Sequence, residues 1–179
     1  MTAARTIRPA AWAVAMLVLA CVMAPVAAQE TSGIATDEAL VVEDGEGGRY
    51  WSRDASVASS SVPRYPRAAL VAGMTGCVNI GFIIEPDGTT SGHRVLIGKT
   101  SFTGTRRRSA VIGQFAQATV DMLKTFRYQP GPENPRRLRG FASTFADFSL
   151  EGSGGRGSEC RIENLTAFMR AAAKEPLPH

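Results

Sequence analysis

Apolar and polar residues alternate along residues 77–85, where Val78, Ile80, Phe82 and Ile84 share one parity and Cys77, Asn79, Gly81 and Glu85 the other. A period of two is that of a strand with one face turned inward. Pro86-Asp87-Gly88-Thr89 follows, each residue at a position that a tight turn favours. Val95 and Ile97 continue the pattern over 90–98, so residues 76–98 are expected to form a β-hairpin. The period then changes. Val111, Phe115, Ala118, Met122 and Leu123 recur at helical spacing, which predicts an amphipathic helix over 110–126, preceded by a loop of Thr, Gly and Arg over 99–109. Residues 139–150 read as a last strand, with Phe141 and Phe145 on one parity and Phe148 and Leu150 on the other. A bulge near Ala146-Asp147 would reconcile the two.

Upstream, Val62-Pro63-Arg64-Tyr65-Pro66 is an extended lead-in, because each proline pushes the residue before it out of the helical region. Pro66 suits the first position of a short helix over 67–72 that Gly73 closes. Downstream, residues 152–157 are a Gly-Ser linker, and 161–174 predict a terminal helix with Ile162, Leu165, Phe168 and Met169 as its apolar stripe. The order helix, strand, strand, helix, strand implies an α+β fold: a small antiparallel sheet with helices packed on one face.

Residues 10–28 are an uncharged apolar run behind Arg5 and Arg8, ending in Val26-Ala27-Ala28. This is the layout of a secretory signal cut after Ala28, which places the rest of the chain in the periplasm. The same residues also read as an uncleaved membrane anchor, since the run is close to the span of a bilayer. A third reading takes Val18-Leu19-Ala20-Cys21 as a lipobox with Cys21 lipidated. The cleaved signal is favoured. Residues 29–61, rich in Gly, Ser, Thr and acids, are expected to be a flexible tether, on which Tyr50 and Trp51 are the aromatic residues able to dock. The domain itself then spans 62–152, and 153–179 form the linker and terminal helix.

Composition sharpens this division. The 179 residues carry 20 Lys and Arg against 16 Asp and Glu, a net charge of +4 that is unevenly spread. Residues 29–61 hold seven acids and two bases, whereas 62–150 hold twelve bases and five acids. A basic domain behind an acidic leader suits an acidic peptide, anionic lipid or peptidoglycan, and export argues against nucleic acid. Arg106-Arg107-Arg108 adds to that basic surface, either as a solvated loop or as a contact to an anionic surface. The two histidines, His93 and His179, are too far apart for a two-histidine metal motif, and His93 has no acid or cysteine near it in sequence. No catalytic residue, cofactor or metal is expected. Once Cys21 is assigned to the targeting segment, Cys77 and Cys160 remain. An oxidising compartment invites one disulfide between them, pinning the terminal helix across the open face of the sheet; unpaired, they would be two small apolar residues.

The ordered pieces Pro63-Arg64-Tyr65-Pro66, Ala68-Ala69, Gly73, Gly76, Val78-Asn79-Ile80-Gly81-Phe82, Pro86-Asp87-Gly88, Val95-Leu96-Ile97, Phe126-Arg127-Tyr128-Gln129-Pro130-Gly131 and Phe148-Ser149-Leu150-Glu151-Gly152 resemble the C-terminal domain of TonB, the periplasmic energy-coupling protein. The likeness covers about residues 62–152. It implies a non-enzymatic module that binds an extended segment of an outer-membrane receptor by strand addition, in transmembrane transport. The edge implied is the last strand, residues 140–150, with Gly140, Phe141, Phe145 and Phe148. Val62, Arg64 and Tyr65 of the lead-in lie near the same peptide, and Arg64 and Arg127 either attract its acidic residues or are simply solvated arginines. Departures from energy-coupling members include Val62, where the family often has a polar residue, and the Arg106-Arg107-Arg108 run. The apolar run has no His or acid, and the stretch before Pro63 lacks stiffening prolines. The alternative function is a structural envelope protein whose basic face holds peptidoglycan or anionic lipid.

Overall fold

The computed structural model describes residues 40–43, 48–57, 61–151 and 155–173. The apolar run 10–28, most of the acidic stretch and residues 152–154 and 174–179 lie outside the described residues. The fold is α+β. Its centre is β3 (Gly76–Ile84), paired antiparallel with β4 (Thr90–Thr100) on one side and with β6 (Gly140–Phe148) on the other. A two-residue strand β1 (Leu40–Val41) lies parallel on the outside of β6, giving the order β1-β6-β3-β4. Strand β2 (Trp51–Arg53) pairs antiparallel with β5 (Tyr128–Pro130) in a separate ribbon.

The expected hairpin is present, and its turn forms as the residue types demand. Glu85 N–H donates to Thr89 C=O at 2.9 Å, and Asp87 Oδ1 accepts from Thr89 N–H and Oγ1 at 2.9 and 2.6 Å. Gly88 sits at φ +82°, and a Cβ there would fall 2.1 Å from the Tyr128 carbonyl oxygen. Only glycine satisfies both the backbone angle and the approach of Tyr128, whose N–H donates to Gly88 C=O.

All nine residues of β3 are buried, because both faces of the sheet are covered. On one face Val78, Ile80, Phe82 and Ile84 meet α1 (Arg67–Val71) through Ala69 and α2 (Thr105–Leu123) through Val111, Phe115, Met122 and Leu123. On the other, Ile83 and Phe141 meet Ile162 and Leu165 of the terminal segment. That segment forms a short α3 (Gly157–Cys160) and then α4 (Leu165–Ala172), with Ile162 ahead of the second helix and not within it. The break follows from Asn164, whose side chain accepts from Ala167 N–H at 2.6 Å and starts α4 afresh.

Three expectations are corrected. Helix α2 begins at Thr105 and ends at Leu123, so Arg106, Arg107 and Arg108 form its exposed first turn and are not a loop. The apolar period starts only at Val111 because nothing before it is buried. No bulge occurs in β6: the register with β3 runs unbroken from Gly76↔Phe148 to Ile84↔Gly140. Both parities carry apolar residues because Ala142, Ala146 and Phe148 face α2 while Phe141 faces the terminal segment. Finally, the described part of the acidic stretch is built into the fold. Trp51 is 1% exposed, its Nε1–H donates to Leu138 C=O at 3.0 Å, and Val42 is buried beside it. Gly140 makes room for both, since a Cβ there would lie 2.8 Å from the Trp51 ring and 3.0 Å from Val42.

Candidate peptide-binding edge

The three long strands are bounded by β4 on one side and by β6 on the other, where β1 covers only two residues, and these two edges differ. The register between β4 and β3 is interrupted at Asn79/Ile80 and again at Gly81/Ile83, and β4 carries Arg94 and Lys99. Irregular, charged edges resist further pairing. Strand β6 is regular throughout. Leu40 N–H donates to Arg139 C=O at 2.9 Å and Val42 N–H to Phe141 C=O at 2.8 Å, so the odd-numbered residues of this stretch turn their backbone groups outward. By the alternation of an antiparallel ladder, Ser143, Phe145 and Asp147 do the same. Among the described residues no strand pairs with β6 beyond Phe141 on that side. The chain therefore presents a short row of N–H and C=O groups of the kind that an extended peptide completes.

The lead-in is fastened to the far end of this row. Tyr65 Oη donates to Met74 C=O at 2.5 Å and approaches Phe148 C=O at 3.4 Å, and its ring stands edge-on to Phe115 and Phe148 at 5.9 and 5.5 Å. Burial, with the Asp147 charge adding to it, raises the Tyr65 pKa, so the hydroxyl remains a donor. Val62 and Arg64 are exposed on the same segment. Between this segment and α2 runs an open groove of about 1000 Å³, lined by Val62, Arg64, Tyr65, Ala118, Asp121 and Met122.

The residues expected at the site separate into groups. Val62, Arg64 and Tyr65 come together along the groove. Phe141 and Phe148 are buried, Phe148 stacked on Phe115 at 4.3 Å, so their side chains pack into the two opposite faces of the sheet. Phe145 is half-buried beneath the Arg161 guanidinium, 4.1 Å from its ring centre. Gly140 is covered by Trp51 and Val42. Arg127 lies elsewhere: its Nη1 donates to Lys124 and Phe126 carbonyls at 3.1 and 2.7 Å, and its charge lowers the pKa of Asp87 in the hairpin turn, a minor cause beside the Thr89 hydrogen bonds. Sequence reasoning missed two contributors. The exposed face of α2, with Gln114, Gln117 and Asp121 at helical spacing, forms the groove's far wall. The apolar island Leu40-Val41-Val42 inside the acidic stretch supplies β1; its isolation among polar residues was the signal.

Cys77 and Cys160 form a disulfide with 5.9 Å between their Cα atoms, closing an 83-residue span. Asn79 Nδ2 donates to Cys160 C=O at 3.0 Å beside it. The N-terminus of α4 is closed by Glu43, whose carboxylate accepts from Leu165 N–H at 2.7 Å and from Thr166 N–H and Oγ1 at 2.9 and 2.6 Å. Burial pushes the Glu43 pKa upward, and the Thr166 and Leu165 hydrogen bonds outweigh it, holding the carboxyl below its usual range. His93 lies against Phe82 with its ring nitrogen 2.9 Å from Thr90 Oγ1, and burial, with Lys124 adding to it, lowers its pKa. Among the described residues no three metal-ligating side chains gather, and no helix is long and apolar enough to cross a membrane.

The solution structure of the Pseudomonas aeruginosa TonB C-terminal domain matches 64% of this chain and 96% of its own, at 19% identity and a TM-score of 0.42. The chain resembles TonB C-terminal domains. Two solution structures of the Helicobacter pylori TonB C-terminal domain match 49% and 52% of this chain and 69% and 86% of their own, at 23% and 22% identity and TM-scores of 0.35 and 0.33. No family model and no curated protein matches the sequence.

Proposed function

We propose that this chain is a non-enzymatic binding module of the cell envelope that takes up an extended segment of an outer-membrane TonB-dependent receptor by strand addition to β6. The observation that carries the reading is the outward row of Ser143, Phe145 and Asp147 on a regular, unbulged strand. Backbone groups supply the affinity there, while Arg64 and the groove beside Val62 receive the side chains of the guest. Export to the periplasm is supported by the signal-like layout of residues 1–28 and by the disulfide, which an oxidising compartment maintains.

The test is a titration of the chain with extended peptides from the periplasmic N-terminal segments of such receptors, with Ser143→Pro alongside. Proline at 143 removes one outward N–H and leaves the hydrogen bonds to β3 in place, since those come from even-numbered residues. The expected result is saturable binding that survives moderate salt and is lost in the variant. Binding that falls steeply with salt and ignores Ser143→Pro would instead describe a polyanion contact on the basic face.

A further inference from the structure

The outward carbonyls of Arg139 and Phe141 already have donors from within the chain: the N–H groups of Leu40 and Val42. A guest strand running the length of β6 needs the same two acceptors, so guest and β1 exclude each other over that half of the edge. The occupant is also unusually short. Strand β1 makes two residue pairs, Leu40↔Gly140 and Val41↔Phe141, well under the ordinary length of a strand. It is held chiefly by what flanks the ladder. Val42 is packed against Gly140 and Trp51, and the Glu43 carboxylate is bound by three donors at the start of α4. One end of the occupant is thus latched to a different element by a side chain, and the other, Leu40, belongs to neither apolar cluster.

We infer that the segment Leu40 to Glu43 is a built-in competitor for the β6 edge: it occupies the Arg139–Phe141 half in cis, leaves Ser143 to Asp147 open for first contact, and is displaced when a longer guest strand extends along β6. The inference rests on the reading of β6 as a strand acceptor. Displacement carries a second consequence. When Glu43 withdraws, the N–H groups of Leu165 and Thr166 lose their acceptor, so occupancy of the edge is communicated to α4 on the covered face.

The probe is a labelled synthetic peptide copying residues 36–46, with a scrambled peptide of the same composition as control, offered to the full chain and to Glu43→Ala and Leu40→Pro. Glu43→Ala removes the latch, Leu40→Pro removes one of the two edge donors, and neither changes a residue of either core cluster. Backbone amide exchange is followed in the same samples. In the wild type the Leu40 and Val42 amides are expected to exchange faster than the centre of β3. Glu43→Ala, which removes three hydrogen bonds to one carboxylate, is expected to speed them by at least about tenfold with β3 unchanged, since even one lost charge-assisted hydrogen bond supplies that factor. Both variants are expected to bind the probe peptide about tenfold more tightly than the wild type. Equal affinity for all three proteins overturns the competitor and leaves the strand acceptor standing. Exchange of β1 in step with β3 in every protein also overturns it, since β1 is then a fixed strand. Absence of specific binding to any of the three overturns the strand acceptor and the competitor together.

Discussion

On the face of the sheet toward α2, Phe82, Phe115, Phe148, Leu123, Ile80 and Ile84 are closely packed and almost wholly buried, and among the described residues no disulfide crosses that face. On the opposite face the buried apolar cluster among the described residues is the smaller set Ile83, Phe141, Ile162 and Leu165, and there the chain adds a disulfide, the Asn79 to Cys160 hydrogen bond and the Glu43 carboxylate at the start of α4. The contrast shows how a small domain covers both sides of one sheet. Where apolar area suffices, burial alone positions the helix; where it does not, specific fastenings hold a segment that would otherwise separate.

The contrast can be broken most directly at the disulfide. Replacing Cys77 and Cys160 together by Ala is expected to cost about 4.5 kcal/mol by loop entropy, read as a lower urea midpoint. Exchange of α4 amides should rise before that of β3. Phe115→Ala attacks the other face and is expected to cost about 4 kcal/mol, with both sheet faces losing protection together, because Phe115 packs on Tyr65 and Phe148 at once. Glu43→Gln is a smaller change, expected to cost about 1.5 kcal/mol, because it weakens charge-assisted hydrogen bonds without emptying the site. Its pH signature has a definite sign. The folded-state pKa of Glu43 lies below its unfolded value, so its contribution is complete above the unfolded pKa and is lost as pH falls through the folded one. Acid titration of wild type and Glu43→Gln by thermal melts should therefore converge at low pH. The smallest expected effect is Asn164→Ala, about 1 kcal/mol from the lost cap of α4, measured by chemical denaturation.

The same contrast explains what the sequence disclosed. The hairpin was legible because its alternation and its turn chemistry agree: Gly88 stands where a positive φ is needed and Asp87 where a carboxylate can bind Thr89. The buried part of α2 was legible from Val111 onward, while its first turn was hidden because Arg106 to Arg108 touch no core. Strand β6 looked irregular only under the assumption that one face is solvated. Phe141 lies under the terminal segment and Phe148 against Phe115, so both parities carry apolar residues for separate reasons. The apolar island at Leu40 to Val42 stood out from its polar surroundings, but two residues carry no period and the partners at 139–141 lie a hundred positions away, so the pairing of β1 was not legible. The candidate edge was legible as a strand and as a position in the order of elements. Which of its groups face outward emerged only from the register.

The central claim is that the outer side of β6 accepts an extended strand, and backbone amide exchange at that edge tests it most directly. With a receptor peptide bound, the Ser143, Phe145 and Asp147 amides are predicted to gain protection in alternation, while Thr144 and Ala146, already paired to β3, stay as they were. Protection that appears around Arg106 to Arg108 while those three amides exchange at their unbound rates would contradict the account.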